Sequence, residues 1–322
     1  MDSKLESVSA ASTLPEGFNP MMVSNTDLVK HGYPPRPDKN IFPRLRALWE
    51  RTFSRPLTFI TAPEFSTGEI PPSSPPRTTM SIQRNISNTF QSGAYLPNPI
   101  AGEKFYTITA AWTVPNVYPP KGSGDGTWQC WNWIGLDGFG TSGGALMAGT
   151  WSKVVVTGGK VNKQFWAWYC WDLSNGGAPI YFFNVPVTAG DTVQVLLCGP
   201  NYQGPNASAM FDNFSTGGTT PLVSIPPPSA TAAAEYQGQT AAWIVESPQY
   251  PGSNLPDYGA TLFYNTICGC KDLVGNGHEL DLSGAIYTNM VQGNNTVSTA
   301  VQEPASEVLQ VYAYSNAESP IP

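Results

Sequence analysis

From residue 83 onward the chain is a succession of short, alternating apolar segments separated by turn residues, a rhythm that excludes a helical fold. Segment 104–114 shows the period: Tyr106, Ile108, Ala110 and Trp112 are expected on one face. The pattern recurs at 164–171, 179–185, 192–198, 207–214, 222–225, 242–246, 259–267, 284–290 and 307–314. Roughly a dozen strands at this spacing predict an all-β, antiparallel two-sheet sandwich. Charged residues are 12% of the chain, while glycine and proline number 31 each, as expected of buried strands joined by tight turns.

Within that succession, residues 127–149 (TWQCWNWIGLDGFGTSGGALMAG) are the most demanding. Trp128, Cys130, Asn132 and Ile134 fall on one side of a strand, Gln129, Trp131 and Trp133 on the other. Three tryptophans within six residues require either a sheet-on-sheet core or an aromatic-lined cleft. A glycine-rich turn beginning at Asp137 then reverses the chain into a second strand. Ahead of the strands, residues 1–40 read as a polar arm and 41–53 as a helix, with Pro43 in its first turn and an apolar stripe of Leu45, Leu48 and Trp49. Residues 61–79 read as a proline-rich linker. The expected organisation is an N-terminal region over 1–82, a sandwich over 83–315 and a tail over 316–322.

A net charge of −7 without a basic stripe argues against nucleic acid as a partner, and no apolar run approaches the ~20 residues of a membrane span. The first residues lack the apolar core of a signal peptide, and five cysteines form no regular framework. Both point to a cytoplasmic protein with reduced thiols; four glycosylation-type triplets keep secretion as the alternative. Two histidines (His31 and His278) without a second ligand at metal-binding spacing predict no metal site. Cys268-Gly-Cys270 is expected to be a plain loop. No phosphate loop, dinucleotide fingerprint or nucleophile elbow is present, so no cofactor is predicted.

WIGLDG at 133–138, ALMAG at 145–149 and AAWIVES at 241–247 together resemble the signature segments of the glutamic peptidases, the eqolisin or G1 family. The resemblance implies that family's double-sheet fold over residues 83–315. It places the catalytic glutamate on Glu246 and the catalytic glutamine on Met147. It also aligns 166–172 with a cleft strand, so that Trp166, Cys170 and Asp172 replace two acids and a tyrosine while Trp168 is kept. It aligns 90–94 (Phe90 to Ala94) with a segment whose cleft tryptophan becomes Gln91. Residues 17–38 are similar to the arm that precedes non-secreted members.

In that family the glutamate acts as general base on a water while the glutamine orients the water and binds the developing oxyanion. Methionine has no donor for this task, and losing one oxyanion donor costs about 3–4 kcal/mol. The expected function is therefore a cofactor-free enzyme that reuses the cleft for an apolar small molecule, in a cyclisation or a (hetero-)Diels–Alder-type cycloaddition. Glu246 and Gln91 are the expected catalytic pair. Phe90, Trp133, Asp137, Met147, Trp166, Trp168, Cys170 and Asp172 are the expected substrate contacts. A residual acid endopeptidase and a non-catalytic carbohydrate-binding sandwich are the alternatives.

Overall fold

A computed structural model describes residues 14, 17–55, 57–60, 67–68, 85–88, 90–97, 102–139, 144–172, 180–200, 206–227, 236–247, 253–272, 276–303, 305 and 307–313. The strands that build its two layers are β1 (Gln91–Pro97), β2 (Lys104–Thr113), β3 (Gly126–Leu136), β4 (Ala145–Thr157), β5 (Lys160–Asp172), β6 (Ile180–Phe183) and β7 (Thr192–Cys198). They continue with β8 (Ala207–Asn213), β9 (Thr240–Glu246), β10 (Ala260–Lys271), β11 (Ile286–Gln292), β12 (Asn295–Gln302) and β13 (Val308–Ala313). These pair antiparallel in one unbroken string, β6-β5-β4-β3-β9-β1-β11-β12-β13-β10-β2-β7-β8. The string passes from the first layer to the second through the β11–β12 hairpin, and the two layers close on each other as a β-sandwich.

The interior between the layers is filled from both sides. Ile134, Leu146, Ala148 and Trp243 of the first layer meet Ile108, Trp112, Val195 and Phe263 of the second, all of them fully or almost fully buried. Polar groups in this core bridge the layers: Trp112 Nε1 donates to Thr150 Oγ1 at 3.0 Å, and Asn132 Nδ2 donates to Thr261 Oγ1 at 2.7 Å. Each such bond removes an orphaned polar atom from the core and fixes how the sheets sit. The β4–β5 hairpin, whose first strand runs eight residues beyond the Ala145–Gly149 stretch delineated by the sequence pattern, turns at Gly158-Gly159. Both glycines have positive φ (56° and 73°), the conformation that a two-residue hairpin turn requires.

The alternation expected for 104–114 breaks at one point. Thr107 pairs with Gly269 and Phe105 with Cys270, so a register shift inserts Tyr106 between two consecutive pairs with β10. This bulge turns Phe105 into the core and Tyr106 outward, against the helix α2 (Pro43–Phe53). The helix itself has the expected stripe: Leu45, Leu48 and Trp49, with Thr52 and Phe53, are buried. It lies on the outer face of the second layer, where Leu45 packs with Tyr106 and Ile267, and Trp49 and Phe53 pack with Met210. Its N-cap, Phe42, has no capping side chain. Glu279 does that work from another strand, accepting from the amides of Arg44 (2.9 Å) and Leu45 (2.6 Å). The arm ahead of α2 contains a six-residue helix, α1 (Asn25–Lys30), that the sequence pattern did not reveal. Leu28 and Tyr33 of this arm are buried with Trp49 and Met210. The linker 61–79 lies outside the described residues apart from 67–68.

Candidate functional site

The outer face of the first layer carries the second large apolar surface of the molecule, and the strand register arranges it in rows. One row runs Trp166, Trp151, Trp131, Glu246, Gln91 across β5, β4, β3, β9 and β1. The next runs Phe182, Trp168, Gly149, Trp133, Ile244, Gly93. A third runs Cys170, Met147, Gly135, Ala242, Tyr95, Ile286. Side chains opposite one another on a sheet face are in contact, and the aromatic ones here stack. The Trp131 and Trp151 rings lie 5.2 Å apart at 19°, and Trp151 and Trp166 4.4 Å apart at 29°. Trp168 meets Trp131 edge-on at 4.9 Å. A ladder of three stacked indoles thus ends at the Glu246 carboxyl.

Glu246 is 7% exposed, and Gln91 and Trp133 are 2% exposed each. Trp133 Nε1 donates to Glu246 Oε2 at 2.8 Å, and Gln91 Nε2 donates to the same oxygen at 3.4 Å. With that oxygen accepting two N–H groups, any proton on the carboxyl resides on Oε1. The Trp133 ring reaches from this carboxyl toward the third row: a Cβ on Gly135 would lie 2.8 Å from its Cζ3. Gly135 pairs with Met147 on one side and with Ala242 on the other. The indole therefore spans the space between the Glu246 end of the cleft and the Met147 row. Met147 and Cys170 face each other across β4 and β5 and are buried.

Two further donors lie on this face. Nε1 of Trp151 and Nε1 of Trp168 are buried and have no acceptor among the described residues. A buried N–H without a partner costs about 1–3 kcal/mol.

Residues 89–312 match the sequence model of the Peptidase A4 family. The chain belongs to that family. Its fold is that of the glutamic peptidases: scytalidoglutamic peptidase, solved with a peptide-based transition-state analogue, superposes with a TM-score of 0.51 at 19% identity. That match covers 70% of this chain and 98% of the other. SCP-B, a member of the Eqolisin family solved with the tripeptide Ala-Ile-His, gives a TM-score of 0.51 at 20% identity, with the same coverage. No curated protein matches the chain in sequence.

Within this Peptidase A4 fold, the cleft face gathers Gln91, Trp133, Met147, Trp166, Trp168, Cys170 and Glu246 on one side of one sheet. Phe90 stands just outside β1, half-buried, and its carbonyl accepts from Ser247 N at 2.7 Å. The backbone of Asp172 pairs with that of Ala145 at the end of β5, and its side chain lies outside the described residues.

Asp137 was expected to touch substrate, and the structure puts its carboxylate elsewhere. It has positive φ (63°) after β3 and is fully buried. Its two oxygens accept from the amides of Gln237 (2.7 Å), Gly238 (2.8 Å), Gln239 (2.6 Å) and Thr240 (3.3 Å). Burial pushes this carboxyl above its ordinary range, against the pull of the four amides. Its work is to anchor the approach to β9. The two cysteines expected in a plain loop, Cys268 and Cys270, are instead buried on β10. None of the five cysteines forms a disulfide. Sequence spacing predicts no metal site; in three dimensions the side chains of Glu103, Cys270 and His278 converge. Sequence spacing could not reveal a group whose members are 103, 270 and 278.

Proposed function

We propose that this member of the Peptidase A4 family is an enzyme whose cleft takes an apolar, conjugated small molecule bearing a carbonyl group. The reaction is a ring closure, either a cyclisation or a (hetero-)Diels–Alder-type cycloaddition. The observation that carries the proposal is the pair of buried indole donors, Trp151 and Trp168, set beside the stacked ladder that ends at Glu246. Flat aromatic walls bind flat apolar substrates. A carbonyl accepting from an indole N–H, or from a carboxyl proton on Glu246 Oε1, becomes more electron-poor, which accelerates addition across its conjugated system. Holding the two reacting ends in near-attack geometry, ~3–3.5 Å apart in a face closed to water, supplies much of the remaining acceleration. Gln91 and Trp133 orient the Glu246 carboxyl, acting as positioning residues.

A residual acid endopeptidase is the second reading, supported by the family itself and by the tripeptide that SCP-B holds. In the alignment implied by the signature segments, the oxyanion donor of that chemistry falls on Met147, which has none to offer. The two readings separate in one experiment. The purified chain and its Glu246→Gln variant are incubated with linear polyenes carrying a tethered enone, and in parallel with a denatured protein at acid pH. A product of unchanged mass, formed faster with wild type than with the variant, supports the proposal. Proteolysis lost in the variant, with no mass-neutral product, overturns it in favour of the peptidase.

A further inference from the structure

At the far end of β10 the chain brings three metal-ligating side chains together, away from the aromatic cleft. Cys270 is the penultimate residue of β10, and His278 lies opposite it on the short strand Gly277–Leu280. Gly277 makes this hairpin possible, since a Cβ there would lie 2.4 Å from the Cys270 carbonyl oxygen. Glu103 stands one residue before β2. The bulge that turns Tyr106 outward also sets Phe105 opposite Cys270, and so brings Glu103 alongside the hairpin. Ligand atoms of all three residues lie within 4.8 Å of one another.

We infer that Cys270, His278 and Glu103 form a site for one zinc-class divalent cation, with a fourth position left to solvent. The distances carry the inference. Bonds of ~2.3 Å for Zn–S and ~2.0–2.2 Å for Zn–N and Zn–O give tetrahedral edges of about 3.6 Å for S···N and about 3.4 Å for N···O. The structure has Cys270 Sγ 3.6 Å from His278 Nδ1 and 3.4 Å from its Nε2, and Nδ1 lies 3.4 Å from Glu103 Oε1. Sulfur, imidazole and carboxylate are thus gathered at the separations of a tetrahedral site, and binding the ion requires the His278 ring to turn so that one nitrogen points between the other two groups. A mixed thiolate, imidazole and carboxylate donor set suits Zn²⁺ or Co²⁺ over the oxygen-seeking Mg²⁺ and Ca²⁺. The Glu103 side chain is 9% exposed and the His278 side chain 35% exposed, so the ion can enter and keep its solvent ligand on the histidine side. Cys268, two residues earlier, is turned to the Leu280 carbonyl at 3.7 Å and does not belong to the group. A bound ion would tie the start of β2 to the β10 hairpin.

Cobalt tests this directly, because a thiolate ligand gives Co²⁺ an intense near-ultraviolet charge-transfer band. The full chain, freed of any affinity tag and stripped with a chelator, is titrated with Co²⁺ and then with Zn²⁺. The expected result is one equivalent of Co²⁺ per chain with that band, displaced by Zn²⁺, and a rise in Tm of at least ~3 °C at saturating Zn²⁺. Cys270→Ser should abolish the band, His278→Ala and Glu103→Gln should weaken binding by ~10-fold or more, and Cys268→Ser should leave it intact. Absence of both the band and the Tm shift in wild type overturns the inference and leaves an ordinary His278–Glu103 contact. A band that survives in Cys270→Ser overturns it equally, since the metal then sits elsewhere. Should any variant melt cooperatively far below wild type, the wild-type titration alone decides.

Discussion

Asp137 and Glu246 are both buried carboxyls at the ends of paired strands in the same sheet, and they differ in what holds them. Asp137 accepts from four consecutive backbone amides, a cradle that side-chain variation cannot alter. The Glu246 oxygen accepts from two side chains, Trp133 and Gln91, that stand on neighbouring strands and face an aromatic wall. Backbone donors lock a charge into the architecture, whereas side-chain donors leave its orientation and protonation open to tuning. The comparison teaches that burial alone does not mark a functional acid. The partner chemistry does.

The comparison breaks most severely at Asp137. Asp137→Ala strands four amides and leaves an alanine in left-handed backbone without the short polar side chain that makes this conformation tolerable; a loss of at least ~4 kcal/mol is expected in urea unfolding. Asp137→Asn keeps the left-handed preference and part of the acceptor capacity, and should lose about 2–3 kcal/mol. A loss under ~1 kcal/mol in both would deny Asp137 its structural role. At Glu246 the order reverses: Glu246→Gln should change stability by less than about 1 kcal/mol while ring-closing turnover falls, and Glu246→Ala should lose turnover at least as completely. Wild-type turnover in both variants, with unchanged melting, would remove the cleft from consideration as the active site. Trp133→Phe keeps an aromatic ring but loses half of the indole together with the N–H to Glu246, so a cost of about 2–3 kcal/mol is expected, with turnover reduced more than stability. The smallest effect is expected at Met147→Gln, where the two side chains have similar length and the proposed cleft would receive the amide. A Tm drop beyond about 5 °C would place Met147 in closed core instead.

Much of this was legible before any coordinates. Period-two patterning gave most of the strands, and the side assignments along β3 hold: Trp128, Cys130 and Ile134 enter the core, while Trp131 and Trp133 enter the cleft face. Strand β12 was missed because NTVSTAVQ is polar, and a strand with such weak alternation signals itself only through the turn at Gly293. The Gly158-Gly159 turn is a readable hairpin signal, and it extends β4 from Gly149 to Thr157. The bulge at Tyr106 was not readable, since it depends on how β2 meets a strand more than 150 residues away. The pairing of Glu246 with Gln91 came from family resemblance alone, and the four amides that occupy Asp137 lie 100–103 residues beyond it.

The position of β9 has a consequence for how the molecule comes together. This strand is inserted between β1 and β3, so Glu246 meets Gln91 across 155 residues of sequence and Trp133 across 113. Closing loops of that length makes the insertion a late and slow event in folding. Until it happens, β1 and β3 each present an unpaired edge, the kind of surface on which nascent chains aggregate. No fragment ending before residue 240 contains the cleft, and any such fragment carries two open edges that other copies can occupy in place of β9.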